Sequence, residues 1–338
     1  MLYCVRPRCQ PGAHEETRLK RFLHLALAAF ALGAVGPLSA QNAYPSKPIR
    51  VMVGFPPGSV ADIVARIVAP KLGDGLGQPV IVENRPGAGG SVAGEHVARA
   101  APDGYTLLLS GANDASNASL LRLGFDVVRD LAPIATIAEA PGLLVAHPSG
   151  PGSVSELVAT AKAKPGQIPY ASSSPGTIAH LWGELFDLET GVKLTHVAYK
   201  GAGVATVDVL AGRIPVQFAP ASVVVPHVKA GRLKALATIG GKRLDALPDV
   251  PTIAELGIKG FDAALWIGLS APAGTPPQII ERLNRETQRV IGLPEMRAQF
   301  AAQSLDALPG TSEHYDRLIR QDVEKWAKVV RSANIRID

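Results

Sequence analysis

From position 49 onward, short apolar runs alternate with stretches whose apolar residues recur at helical spacing. The run 49–54 (IRVMVG) reads as a buried strand, with a helix over 61–72. Strand 80–83, helix 91–100 and strand 106–110 continue the alternation. A second series follows: strands at 143–146, 168–171, 195–199, 214–218 and 233–238, separated by helices at 154–163, 178–188, 204–211 and 223–230. One more strand is expected at 264–271 (ALWIGLSA). Such alternation argues for βαβ units and a largely parallel sheet. The tail differs. Segments 277–291 and 311–330 predict long amphipathic helices, with Ile280, Leu283, Thr287 and Val290 on one face of the first. Tyr315, Leu318, Ile319, Val323 and Trp326 do the same in the second. Neither helix has a partner in the first half, which leaves both to pack back onto the first series. No repeat recurs at a fixed period.

The first forty residues read as an address. Arg18, Lys20 and Arg21 precede a nearly unbroken apolar run at 22–35, and Gly36-Pro37-Leu38-Ser39-Ala40 supplies a helix break and small residues. This is the order of a Sec-type signal peptide, cleaved after Ala40 or alternatively after Ala43. The apolar run is short for a membrane span, and no cysteine follows it to carry a lipid. The mature chain is therefore expected to be exported to the periplasm without membrane insertion. Export disfavours mechanisms that need NAD or ATP.

The whole chain has 338 residues, enough for two domains. Aromatics make up only 5%, so the core must rest on Val, Leu, Ile and Ala. Of the net charge of +5, the leader supplies most, through five basic and two acidic residues. The body has no electrostatic footprint for nucleic acid. Cys4 and Cys9 also sit in the leader, so the body offers no disulfide, no Cys-ligated metal and no cysteine nucleophile. Six histidines remain (His96, His147, His180, His196, His227, His314), none at metal-ligand spacing. There is no Gly-x-Ser-x-Gly, P-loop or His-Glu-x-x-His. The run Gly87 to Gly94 approaches a dinucleotide fingerprint, but Val92 stands where the third glycine belongs. A tight turn with a close-packed helix start accounts for it better.

Two strand-to-helix turns are more informative. Phe55-Pro56-Pro57-Gly58-Ser59-Val60-Ala61-Asp62 follows the first strand. Its prolines stiffen the approach, Gly58 admits a ligand close to backbone, and the amides of Ser59, Val60 and Ala61 are unpaired first-turn donors. Asp62 in the first turn caps the helix. Unpaired amides and the positive helix end together form an anion site. The second turn, Ala171-Ser172-Ser173-Ser174-Pro175-Gly176-Thr177, adds hydroxyls to another such set. One cradle in each series suits a small carboxylate held across a cleft, without a lysine or arginine partner. A third strand end, Ser110-Gly111-Ala112-Asn113-Asp114, supplies polar contacts or is only a loop. Each turn reads also as an ordinary capped helix start.

At these residues the sequence resembles the Bug (TctC-like) family, the periplasmic solute receptors of tripartite tricarboxylate transporters. The resemblance is carried by Tyr44-Pro45-Ser46-Lys47-Pro48, by Phe55 through Asp62, and by Glu83-Asn84-Arg85-Pro86-Gly87-Ala88-Gly89-Gly90. Pro102-Asp103-Gly104-Tyr105, Tyr170 through Thr177 with His180, Tyr199-Lys200-Gly201 and Leu247-Pro248-Asp249-Val250-Pro251-Thr252 complete it. It implies an α/β, two-lobed type 2 periplasmic-binding-protein fold, each lobe a mainly parallel sheet flanked by helices. Lobe 1 is expected over 44–142 and 264–338, lobe 2 over 143–263, with hinges near 140–144 and 261–265. The expected activity is capture of a carboxylated solute by lobe closure, with no catalysis and no cofactor. The expected partners are a membrane permease or a sensor kinase, and the expected state is a monomer. An exported nucleotide-dependent enzyme is the alternative from another class. The resemblance adds Tyr199 and Ala219 to the expected site. Two departures stand out: Ser59 occupies the place of a second glycine, and Ala219-Pro220 stand where the family often has Asp. The second departure implies a carboxylate ligand without an amino group.

Overall fold

The computed structural model describes residues 44–259, 261, 263–332 and 335, together with Met1 and Tyr3. The expected leader, its cleavage site and both cysteines lie outside the described residues. The chain runs β1 (Ile49–Val53), α1 (Val60–Leu76), β2 (Val80–Asn84), α2 (Ser91–Ala98), β3 (Thr106–Gly111), α3 (Ala112–Leu120) and β4 (Leu131–Ala140). It continues through β5 (Gly142–Ala146), α4 (Val154–Ala163), β6 (Pro169–Ser172), α5 (Ile178–Thr190), β7 (Thr195–Ala198), α6 (Ala202–Leu210), β8 (Val216–Pro220), α7 (Ala221–Lys229) and β9 (Lys234–Ile239). It closes with β10 (Leu265–Pro272), α8 (Pro277–Ile291), α9 (Pro294–Ala302), β11 (Asp306–Ala307) and α10 (Ser312–Ser332).

Two sheets organise these elements. One is ordered β11-β4-β10-β3-β1-β2, the other β7-β6-β8-β5-β9. The expectation of mainly parallel sheets requires correction, because both are mixed. β1 runs parallel to β2 and β3, and β6 parallel to β7 and β8. β10 runs antiparallel to β3 and β4, and β5 antiparallel to β8 and β9. The cause is the way the chain changes sheets. Only Pro141 separates β4 from β5, and no helix intervenes between β9 and β10. β5 and β10 are thus the strands by which the chain enters a new sheet, and each runs against both of its neighbours there.

β4 is a strand that the sequence pattern does not announce. Its burial along LAPIATIAEA is nearly continuous, so no two-residue alternation marks it. The core is aliphatic in the first sheet, where Ile49, Met52, Val53, Leu107 and Leu108 are buried. The second sheet adds Tyr170, Phe186 and Phe218 in ring contact. The tail packs on the first sheet's elements: α8 against β4 and α1, α10 against α3 and β4. Tyr315 of α10 joins its hydroxyl to Ser110 of β3, which also pairs with Ser270 of β10. Trp266 of β10 donates to Asp322 of α10 at 2.6 Å.

The glycine run after β2 serves packing. A Cβ at Gly54 would lie 2.6 Å from the Gly90 backbone, and one at Gly90 would meet the Phe55 ring at 3.1 Å. Asn117 of α3 donates to the Gly89 carbonyl at 3.0 Å. The turn therefore seats Phe55 and ties β1 to α3.

Candidate functional site

Strand C-terminal ends in a parallel segment deliver helix N-termini to one rim, which is where ligands of open α/β sheets bind. Here the loops after β1, β3, β6, β7 and β8 meet around one cavity of about 270 Å³. From the first sheet's elements come 55–61, Leu109, Ser110, Gly111, Asn113, Asp114, Leu265 and Ile267. From the second come Ser173, Thr177, Ile178, Ala179, 200–204, Pro220 and Val223.

Of the residues expected from sequence, Phe55, Pro57, Gly58, Ser59, Val60, Ser110, Ser173 and Thr177 line this cavity. The others stand behind it. Asp62 is turned back and buried, accepting from Gly58 N at 2.9 Å, Asn84 Nδ2 at 2.9 Å and Arg66 Nε at 3.0 Å. Burial opposes its ionisation, but these hydrogen bonds outweigh burial and hold its pKa below the usual value. Ser172 is buried and bonds His196 Nε2 at 2.6 Å. Ser174 uses its carbonyl to accept from Thr177 Oγ1 at 2.8 Å. Gly176, at φ +78°, accepts through its carbonyl from Ser116 Oγ. Tyr199 donates to Asp208 at 2.7 Å, and its pKa is pushed up to about 12 by burial and that carboxylate. Ala219 faces the core of the second sheet. Its neighbour Pro220 reaches the cavity instead, because successive strand residues point to opposite faces.

The unpaired amides are distributed differently from expectation. Ser59 N bonds the Pro56 carbonyl at 3.2 Å, and Ser59 Oγ accepts from Asp62 N, leaving Val60 and Ala61 as the first-turn donors of α1 without acceptors. On α5, Ile178 N is taken by Asn113 Oδ1 at 2.8 Å, while Ala179 N has no acceptor. α6 contributes most. Gly201 N bonds Ser173 O, but Ala202, Gly203 and Val204 N have no acceptor, and all three residues line the cavity. Directly before them stands Lys200, exposed and without a protein partner.

Lys200 and the start of α6 were within reach of sequence reasoning. The Tyr199-Lys200-Gly201 motif is visible, but a helix placed at 204–211 hides the donors at 202–204. The two-residue spacing of Leu265 and Ile267 on β10 is a second available signal. Asn113 and Asp114 were part of the third strand end, open between polar contacts and a loop, and the structure makes them the start of α3 at the cavity wall. Asp114 Oδ2 accepts from Gly111 N at 2.8 Å. Burial raises its pKa to about 6, with backbone hydrogen bonds pulling the other way. Among the described residues no cluster of His, Asp or Glu is placed to hold a metal ion.

Behind the second loop lies a buried polar network. His180 stacks on His196 with centroids 4.0 Å apart, and Tyr170 donates to Glu184 at 2.8 Å. Burial drives the His196 pKa down to about 3. His180 Nδ1 accepts from Gly176 N at 3.3 Å, so this network braces the loop that carries Ser173 and Thr177.

Comparison with known proteins places these features in context. The model of the tripartite tricarboxylate transporter family receptor, TctC, matches residues 64–335. Protein BugT of Bordetella pertussis is 38% identical over 325 residues, covering 95% of this chain and 99% of its own. An R. palustris protein solved with adipate superposes at TM-score 0.81 with 31% identity, over 87% of this chain and 99% of that one. MatC from Rhodopseudomonas palustris with bound malate superposes at TM-score 0.78 with 29% identity, over 85% and 100%.

Proposed function

The chain belongs to the TctC family of tripartite tricarboxylate transporter receptors, and from that premise we propose that it captures a small carboxylated solute between two closing lobes. The lobes are 44–142 with 264–338, and 143–263. The observation that carries this reading is the convergence of acceptor-less first-turn amides from α1, α5 and α6, with the unpartnered Lys200 ammonium, on one cavity. A carboxylate satisfies several such donors and a cation together. Adipate and malate in the related structures are solutes of this class. The cavity collects binding groups and offers no nucleophile activated by a base, so binding without chemical conversion is the function inferred. Packing consumes the glycines of Gly87–Gly90, which removes the support for a nucleotide-using enzyme. Export by the N-terminal leader, cleaved near Ala40, delivers the receptor to the periplasm. There, as a monomer, it hands the solute to a permease or presents it to a sensor kinase.

The test is calorimetric titration of the mature protein with acids and their neutral amides, such as benzoate with benzamide and hexanoate with hexanamide. Acids are expected to bind at least about a hundredfold tighter, since charge-assisted hydrogen bonds are worth roughly 1.5–3 kcal/mol each. Equal binding of an acid and its amide would sink the proposal.

A further inference from the structure

The charge around the cavity is one-sided. α5 and α6 carry no acidic residue in their first turns, and Lys200 precedes α6. α1 and α3 each carry one, Asp62 and Asp114. Asp62 is neutralised by Arg66. Asp114 remains at the cavity wall, with Gly111 N as its donor and no cation bridged to it. The cavity wall also carries the apolar side chains of Phe55, Leu109, Leu265 and Ile267. Its hydroxyl, Ser110, is already engaged by Ser270 and Tyr315. Lys200 is the one cationic side chain among the described lining residues.

We infer that the solute is a monocarboxylate with an apolar body: its carboxylate meets Lys200 and the α6 amides, its body lies on Phe55, Leu109, Leu265 and Ile267, and Asp114 repels a second carboxylate. This rests on the carboxylate reading above and narrows it. A dicarboxylate would bring a second charge into a cavity that has Asp114 on its wall and no second cationic side chain among the described lining residues. A like charge held there, away from water, weakens binding far more than an absent contact does. A hydroxyl on the body would find Ser110 already committed to Ser270 and Tyr315. The cavity of about 270 Å³ lies just below the range of drug-sized ligand sites and suits a single ring or a short chain.

Matched pairs test it by calorimetry on the mature protein: hexanoate against adipate, and benzoate against terephthalate, with malate, phenylalanine and the neutral amides alongside. The monoacid of each pair is expected to bind at least tenfold tighter, and Asp114→Asn to shrink that gap. Adipate, terephthalate or malate binding as tightly as the monoacids would overturn the inference while leaving the carboxylate reading intact. Tight binding of phenylalanine would overturn it too, by assigning Asp114 to a ligand ammonium. Amides that match the acids, or acids that all fail to bind, would sink the carboxylate reading itself. The wild-type pairs decide the matter even if Asp114→Asn does not fold.

Discussion

Asp114 is a buried acid whose pKa rises from 3.8 to about 6 on folding. The folded protein therefore holds this proton more firmly than the unfolded chain. Between the two values the native state binds more protons, so the group's contribution to stability is full below about pH 4 and is lost as pH climbs through about 6. A displacement of roughly two units amounts to on the order of 3 kcal/mol. Asp114→Asn keeps an oxygen for Gly111 N and removes the charge. Its stability relative to wild type, from urea unfolding, is expected to rise from pH 4 to pH 7 by an amount of that order. A difference independent of pH would show that the wild-type carboxyl is not ionising in a buried place. The sequence places Asp114 at a strand end that supplies polar contacts or is a loop, but the shift is not legible there, because it is a property of what surrounds the residue. Gly58 was legible: it lines the cavity and adopts φ +80°, so the backbone conformation alone already favours glycine there.

Helix starts decide where the donors fall, and a two-residue error matters at that scale. The apolar pattern finds α1, α5 and α8 well, because their periodic faces pack on a sheet. It places α6 late, since Gly201-Ala202-Gly203 carries no apolar periodicity yet forms the helix's first turn. The same element offers a test in which stability and binding move in opposite directions. Gly203 has normal backbone geometry, and a Cβ there meets nothing within 4 Å. Gly203→Glu replaces a poor helix former with a good one and sets a negative charge at the positive helix end. Together these are expected to stabilise the fold by roughly 1 kcal/mol. That charge also opposes an incoming carboxylate, which should weaken binding by about tenfold or more. A thermal melt and a titration on the same sample read both. Unchanged affinity in the more stable variant would remove the α6 terminus from the site.

At the scale of the whole molecule, the sequence order of strands and helices was enough for two α/β sheets and for tail helices that pack on the first. It was silent on the antiparallel β5 and β10, because strand direction depends on how the chain crosses between sheets and not on side-chain pattern. It was equally silent on what joins the two sheets' elements across the cavity. Asn113 of α3 accepts from Ile178 N of α5 at 2.8 Å, and Ser116 Oγ donates to the Gly176 carbonyl at 3.1 Å. Both contacts are buried, and both join elements of the two sheets that the proposed division assigns to different lobes. On the lobe opening proposed above both contacts break, so they add to the closed state alone. Asn113→Ala leaves the Ile178 amide unsatisfied in the closed form alone, a penalty of about 1–3 kcal/mol. In an open the same amide is hydrated, so the whole penalty appears as a shift toward open. Affinity for the preferred carboxylate is expected to fall by a factor of about 5–150, with the radius of gyration of the unliganded protein in X-ray scattering growing. Chemical stability of each lobe should change little, because the contact lies between them. If affinity and scattering both stay at wild-type values, the interlobe hydrogen bonds do not set the closure equilibrium, and ligand contacts alone hold the lobes together.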